Sequence, residues 1–257
     1  MYALIWLPDV LRDAGLKVTL EPGWETRGHG DVRDIRGVMC HHTCGPHDGD
    51  IKDLPVLIEG RPDLKGPLCE LGLGRSGTFH VVAAGKPWHA GAGNWRGVTD
   101  GNAHMIGIEA ENTGEIAGPN ADPWPEAQMD AYARGAAAIL KHIGAPPIMC
   151  CGHKEYALPK GRKDDPSFDM NAFRARIAGV MGMPINAQPA STVRTAIVSI
   201  DGLNLRAAAS TTAAVLATLA KGAKVTIDKQ VLNGPTSWTS ATVNGKSGWV
   251  ATRYLDI

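Results

Sequence analysis

The chain has 257 residues, 44% of them hydrophobic, and its 26 basic side chains balance 26 acidic ones, so the formal net charge is zero. That length supports one substantial core plus a smaller unit without covalent staples. The charge balance leaves no nucleic-acid footprint and no polybasic membrane patch, and no apolar run reaches the length of a membrane span.

In chain order, "MYALIWLPDVLRDAGLKV" predicts a short helix with Leu7, Leu11 and Ala14 on one side. It has neither the basic start nor the small-residue cleavage site of an export signal, so synthesis in the cytosol is expected. Short β-rich runs follow at "RGVMCHHT", "TFHVVAA" and "MIGIEAEN". A long helix is predicted in "PEAQMDAYARGAAAILKHIG", where Met129, Tyr132, Ala136, Leu140 and Ile143 recur at helical spacing before Gly144 and the Pro146-Pro147 pair stop it. The stretch "CCGHKEYALPKGRKDDPSF" carries no period of either kind and reads as a loop. A last helix, "DMNAFRARIAGVMG", takes Asp169 as its N-cap and places Phe173, Ile177 and Val180 on one face. Strands interleaved with amphipathic helices predict an α/β fold, a mixed central β-sheet flanked by helices.

Composition shifts near residue 182: all nine histidines and all five cysteines lie upstream. The expected organisation is a larger domain over 1–182, a linker over 183–193 in "GMPINAQPASTV", and a small all-β barrel over 194–257. Cys40, Cys44, Cys69, Cys150 and Cys151 form an odd set with no CxxC pair, which argues against a zinc knuckle and for reduced thiols.

Histidine recurs in four segments, and several of them converging would make a metal site. Strand alternation puts Met39, His41 and Thr43 on one face and Cys40 and His42 on the other, so only one of the two adjacent histidines can face a given ion. Spacing does not say which. The same alternation places Gly107, Glu109 and Glu111 together, as the floor of a cleft in which the glycine leaves room for a ligand. A strand histidine, His153 and a carboxylate from "KGRKDDP" would supply three zinc ligands with a fourth position open.

These segments resemble the zinc-dependent N-acetylmuramoyl-L-alanine amidases of the phage-lysozyme and peptidoglycan-recognition superfamily. The matching motifs are "VMCHHT", "PWHAG", "IGIEAEN" and "GHKE…GRKDDPSFDM", in the family's order over roughly residues 35–178. The tail resembles a bacterial SH3-like wall-binding domain through its "NLR" opening, its "LAKGAKV" hairpin and its closing "GWVATRYL". The resemblance implies Zn2+ held by His41, His153 and Asp165, with Glu109 and Lys163 catalytic. It also puts His89, Trp88 and Asn112 in the substrate groove. Phe79 occupies a place where relatives with a cysteine ligand often carry tyrosine, which leaves the acid–base work to Glu109.

The implied function is hydrolysis of the amide between N-acetylmuramic acid and L-alanine by zinc-activated water, with bacterial peptidoglycan as partner. Without an export signal, the expected setting is a phage or prophage endolysin acting on the wall. The rivals are a non-catalytic peptidoglycan-recognition protein and a zinc peptidase cutting within the stem peptide.

Overall fold

The computed structural model describes residues 2–32, 34–183, 194–233 and 236–256. Two compact units, Met1–Gln188 and Pro189–Ile257, divide the chain. The linker expected at 183–193 lies, after its first residue, outside the described residues.

The first unit is built on a six-stranded sheet. Its strands are β1 (Lys17–Leu20), β2 (Gly37–His42), β3 (Leu71–Leu73), β4 (Thr78–Val81), β5 (Met105–Ala110) and β6 (Cys150–Gly152), in the order β1-β4-β3-β5-β2-β6. Only the β3–β4 pair is antiparallel; the others run parallel. The sheet is therefore mixed, as expected. Its helices are α1 (Leu7–Asp13), α2 (Leu54–Glu59), α3 (Gly101–His104), α4 (Glu126–His142), α5 (His153–Tyr156) and α6 (Met170–Met181).

Strand alternation divides the core between the two sheet faces. Val38 and Cys40 of β2, Ile106 and Ile108 of β5, and Phe79 of β4 pack with Tyr132, Ala136 and Leu140 of α4 and Phe173 and Ile177 of α6. On the other face, Met39, Met105 and Cys151 pack with Ala90, Val98 and Tyr156. α4 is rich in alanine, carries Glu126 in its first turn, and has Lys141 and His142 in its last, where each complements the helix dipole. It lies so close to the sheet that a Cβ on Gly135 would fall 2.4 Å from the Phe79 ring. α6 begins as the sequence predicts, the Asp169 carboxylate accepting from the amides of Asn171 and Ala172.

Two expectations need correction. Val180 is 51% exposed, because it belongs to the final turn of α6 and lines an open groove beside α1 and α4 instead of the core. The stretch read as a loop from residue 150 begins with β6, whose three residues are buried on both faces. A fully buried strand that short shows no alternation, so only its pairing with β2 identifies it.

The second unit is an antiparallel sheet of β7 (Arg194–Val198), β8 (Leu203–Arg206), β9 (Val215–Leu219), β10 (Lys224–Asn233), β11 (Thr236–Val243), β12 (Lys246–Ala251) and β13 (Leu255–Asp256). The strand order is β9-β8-β12-β11-β10-β7-β13, around a core that includes Val198, Leu205, Val225 and Val250. Among the described residues no helix is long and apolar enough to cross a membrane.

Candidate metal centre

The first ligand candidate sits where β2 outruns its neighbour. Pairing between β2 and β6 ends at Cys40 opposite Gly152, so the amide of His41 has no strand partner on that side. The hydroxyl of Tyr132 accepts from that amide at 3.0 Å and lies 2.8 Å from the Ile108 carbonyl, to which it donates. The strand end is thus held from α4, and the His41 side chain turns to the face opposite that helix. His42 turns the other way, and its Nδ1 accepts from the Ser167 amide at 3.2 Å. Of the two histidines, His41 is the one grouped with His153 and Asp165.

His153 opens α5, directly after β6. Glu155 accepts from the Gly152 amide at 2.9 Å and pairs with the buried Arg174 of α6 at 2.7 Å, which fixes where α5 starts. The chain then loops out and returns. The Lys154 amide donates to the Asp165 carbonyl at 2.7 Å, and Lys154 Nζ to the Phe168 carbonyl at 2.8 Å. This closure sets Asp165 Oδ2 3.0 Å from Nδ1 of His41 and 3.2 Å from Nδ1 of His153. One ligand atom from each of these residues lies within 4.8 Å of the others. All three are buried, at 1%, 3% and 6% exposure for His41, His153 and Asp165.

The donor set fits a divalent cation that accepts nitrogen and oxygen, such as zinc. His153 Nε2 donates to the Ala90 carbonyl at 2.9 Å, which leaves the Nδ1 lone pair free for a cation. Burial lowers His41 to about 4, against the opposing influence of the Asp165 carboxylate, so the ring is neutral at physiological pH. Burial alone would raise Asp165, but the neighbouring His153 and His41 imidazoles outweigh it and hold the carboxyl well below its usual range. A neutral His41 ring and an ionised Asp165 carboxylate are protonation states that ligation requires.

The same cleft holds the two expected catalytic residues. Glu109 lies opposite His41 in the strand register, with Oε1 3.7 Å from His41 Nδ1. Its Oε2 has no hydrogen-bond partner among the described residues. Burial pushes its pKa well above the ordinary value and Asp165 adds to the rise, while Lys163 opposes it. Lys163 lines the cleft beside Asp165, and Trp88 forms part of the wall. The indole stacks on His29 with ring centres 4.9 Å apart.

Three expectations are corrected here. Asn112 is not a groove residue: it is fully buried, its amide nitrogen donating to the Asp122 carbonyl and its oxygen accepting from Gly114. The room left by Gly107 is filled by His89, whose ring atoms would lie 2.8 Å from a Cβ there. His89 itself borders the cleft with Trp88, is only 8% exposed, and also bonds to His41. Phe79 packs beneath α4, away from the cleft face, so the absence of a tyrosine there has no bearing on the site.

Cys40 and Cys150 have their sulfurs 3.4 Å apart on the face away from the ligands, and Cys151 packs against Met39. All five cysteines are free. The sequence marks Tyr132 only as part of an apolar helical repeat, and nothing in the spacing of Tyr132 or Arg174 marks them as supports for the segments that carry His41 and His153.

The N-acetylmuramoyl-L-alanine amidase family model matches residues 31–168, and the bacterial SH3 domain model matches residues 201–256. The putative N-acetylmuramoyl-L-alanine amidase YrvJ of Bacillus subtilis (strain 168) is 44% identical over 61 residues, which is 24% of this chain and 11% of that protein. Among solved structures, the amidase AmiD from E. coli, in complex with anhydro-N-acetylmuramic acid-L-Ala-D-gamma-Glu-L-Lys, is 22% identical. The match covers 58% of this chain and 60% of AmiD with a TM-score of 0.46. AmpDh3 from Pseudomonas aeruginosa is 19% identical over 62% of this chain and 65% of its own, with a TM-score of 0.45. The endolysin amidase LysCS from Clostridium intestinale is 16% identical over 63% and 95%, with a TM-score of 0.44. The chain thus spans less than two thirds of YrvJ and of AmiD. Since the family model covers more than half of the sequence, this chain belongs to the N-acetylmuramoyl-L-alanine amidase family.

Proposed function

We propose that the protein is a zinc-dependent peptidoglycan amidase that cleaves between N-acetylmuramic acid and the L-alanine of the stem peptide. The observation that carries this reading is the convergence of His41, His153 and Asp165 on one point, with Glu109 beside them in an open cleft.

Zinc held by those three residues would supply a Lewis acid that brings the pKa of water down to about 7 and polarises the scissile carbonyl. The residues of the chain do the rest. Glu109, its pKa raised by burial, takes the proton from the attacking water and returns it to the departing amine, a transfer typically worth ~10²–10⁴ in rate. The Lys163 ammonium faces the negative charge that develops on the carbonyl oxygen, and loss of such a donor costs on the order of 10²–10³ in turnover. Trp88 walls the groove that takes the substrate.

Pairing with a bacterial SH3 domain supports action on assembled wall, with the second unit retaining the enzyme on peptidoglycan. An endolysin role follows from this reading. Its test is lysis when the chain is expressed together with a membrane-permeabilising protein, and no lysis when either is expressed alone.

The activity is tested by digesting purified sacculi and analysing the products by mass spectrometry. An amidase releases intact stem peptides with free L-alanine amino termini and leaves the glycan whole. Fragments cut within the stem would support a peptidase, and binding without any product would support a recognition protein.

A further inference from the structure

We propose that His89 is a positioning residue for the metal site: its Nδ1, 3.0 Å from Nε2 of His41, accepts a hydrogen bond from that nitrogen and holds His41 with Nδ1 presented for ligation. This rests on the reading of His41 as a ligand.

The geometry argues for it in three ways. Ligation through Nδ1 requires the proton of neutral His41 to sit on Nε2, where it needs an acceptor. The nearest acceptor is His89, whose ring meets that of His41 edge-on, with centres 5.2 Å apart and planes at 83°. Second, the next residue does the same for the other imidazole, since the Ala90 carbonyl accepts from Nε2 of His153 at 2.9 Å. One two-residue segment therefore orients both histidines.

Third, that segment is itself locked. Oδ1 of Asn102 accepts from the amides of His89 and Ala90, at 2.8 Å each. Asn102 lies on α3, whose first amide, that of Gly101, donates to the Tyr156 hydroxyl at 2.9 Å. The imidazole of His89 rests over Gly107, where any side chain would displace it. A residue exposed by 8% and engaged in this way offers the substrate little; its chemistry points inward, at the ligand.

The test is zinc affinity, measured on the full chain by competition with a chromophoric chelator. His89→Ala should bind zinc about 10–100-fold more weakly than the wild type, the usual effect of losing an outer hydrogen bond to a ligand. His89→Asn should restore most of the loss, because asparagine Oδ1 occupies nearly the position of histidine Nδ1 and can accept the same bond. His89→Leu keeps the volume without an acceptor and should behave like alanine; it is the variant to use if alanine does not fold. Asn102→Ala should weaken binding and Asn102→Asp, which retains both acceptor contacts, should not. Wild-type affinity in His89→Ala or His89→Leu overturns the proposal, as does equal loss in the alanine and asparagine variants. Failure of the wild type itself to bind zinc would instead remove the metal-site reading on which the proposal depends.

Discussion

Glu109 and His41 stand opposite each other in the β2–β5 register, and the carboxyl oxygen Oε1 lies 3.7 Å from the imidazole Nδ1. Neighbouring parallel strands fix that separation, so a carboxyl group is built in beside the candidate ligand. Lys163 and Asp165, by contrast, come from a loop and reach the cleft through the ties between Lys154 and the 165–168 segment.

Glu109→Gln preserves shape and hydrogen-bonding capacity but cannot take up a proton. Turnover on muropeptides should fall by ~10²–10⁴, with zinc content unchanged. Release of L-alanine amino termini at the wild-type rate would remove Glu109 from the chemistry.

Dialysis against a strong chelator should abolish cleavage, and added zinc should restore it. Binding of the native state alone also predicts stabilisation by about 2.7 kcal/mol when free zinc is one hundred times Kd, seen as a rise in Tm. His41→Ala should show neither the rise nor one bound zinc per chain, whereas His42→Ala, altered on the opposite sheet face, should retain the metal.

Glu111 is fully buried with Oε1 unpartnered among the described residues, while Oε2 accepts from the Asp53 amide that precedes α2. Burial raises its pKa from 4.5 to about 7, opposed by the Asp53 amide. Its neutral form is thus favoured in the folded state, and its contribution is fully present below 4.5 and lost as pH rises through about 7. Glu111→Gln should flatten the fall in stability across that window and leave the variant more stable than wild type above it. Urea unfolding at a series of pH values measures this, and parallel curves for the two proteins would refute it.

Tyr132→Phe removes one hydroxyl and leaves the His41 amide and the Ile108 carbonyl without that partner in a buried place. The expected cost is about 1–3 kcal/mol in chemical denaturation. Arg174→Leu leaves Glu155 unpaired at the start of α5 and should cost about 3 kcal/mol, somewhat softened because Glu155 is partly exposed. Since Glu155 caps the turn that presents His153, this variant should also bind zinc more weakly.

Long periodic segments were legible from residue order. α4 and α6 repeat their apolar residues at helical spacing, and β2 and β5 alternate strictly enough to put His41 with Met39 and Glu109 with Gly107. Such patterns are local, because they report which side of one element meets the core. Short buried strands such as β3 and β6 lack that signature, and Val180 shows that periodicity cannot tell where a helix outruns its cover.

The sequence by itself determined the element types, the division of chemistry between the two parts of the chain, and a short roster of histidines and carboxylates able to hold a metal. Only the tertiary structure decided which of them meet. His41 over His42, the inward turn of His89 and the burial of Asn112 all follow from which sheet face α4 covers and where distant backbone amides find partners. Those are contacts between residues far apart in the chain, and no local pattern encodes them.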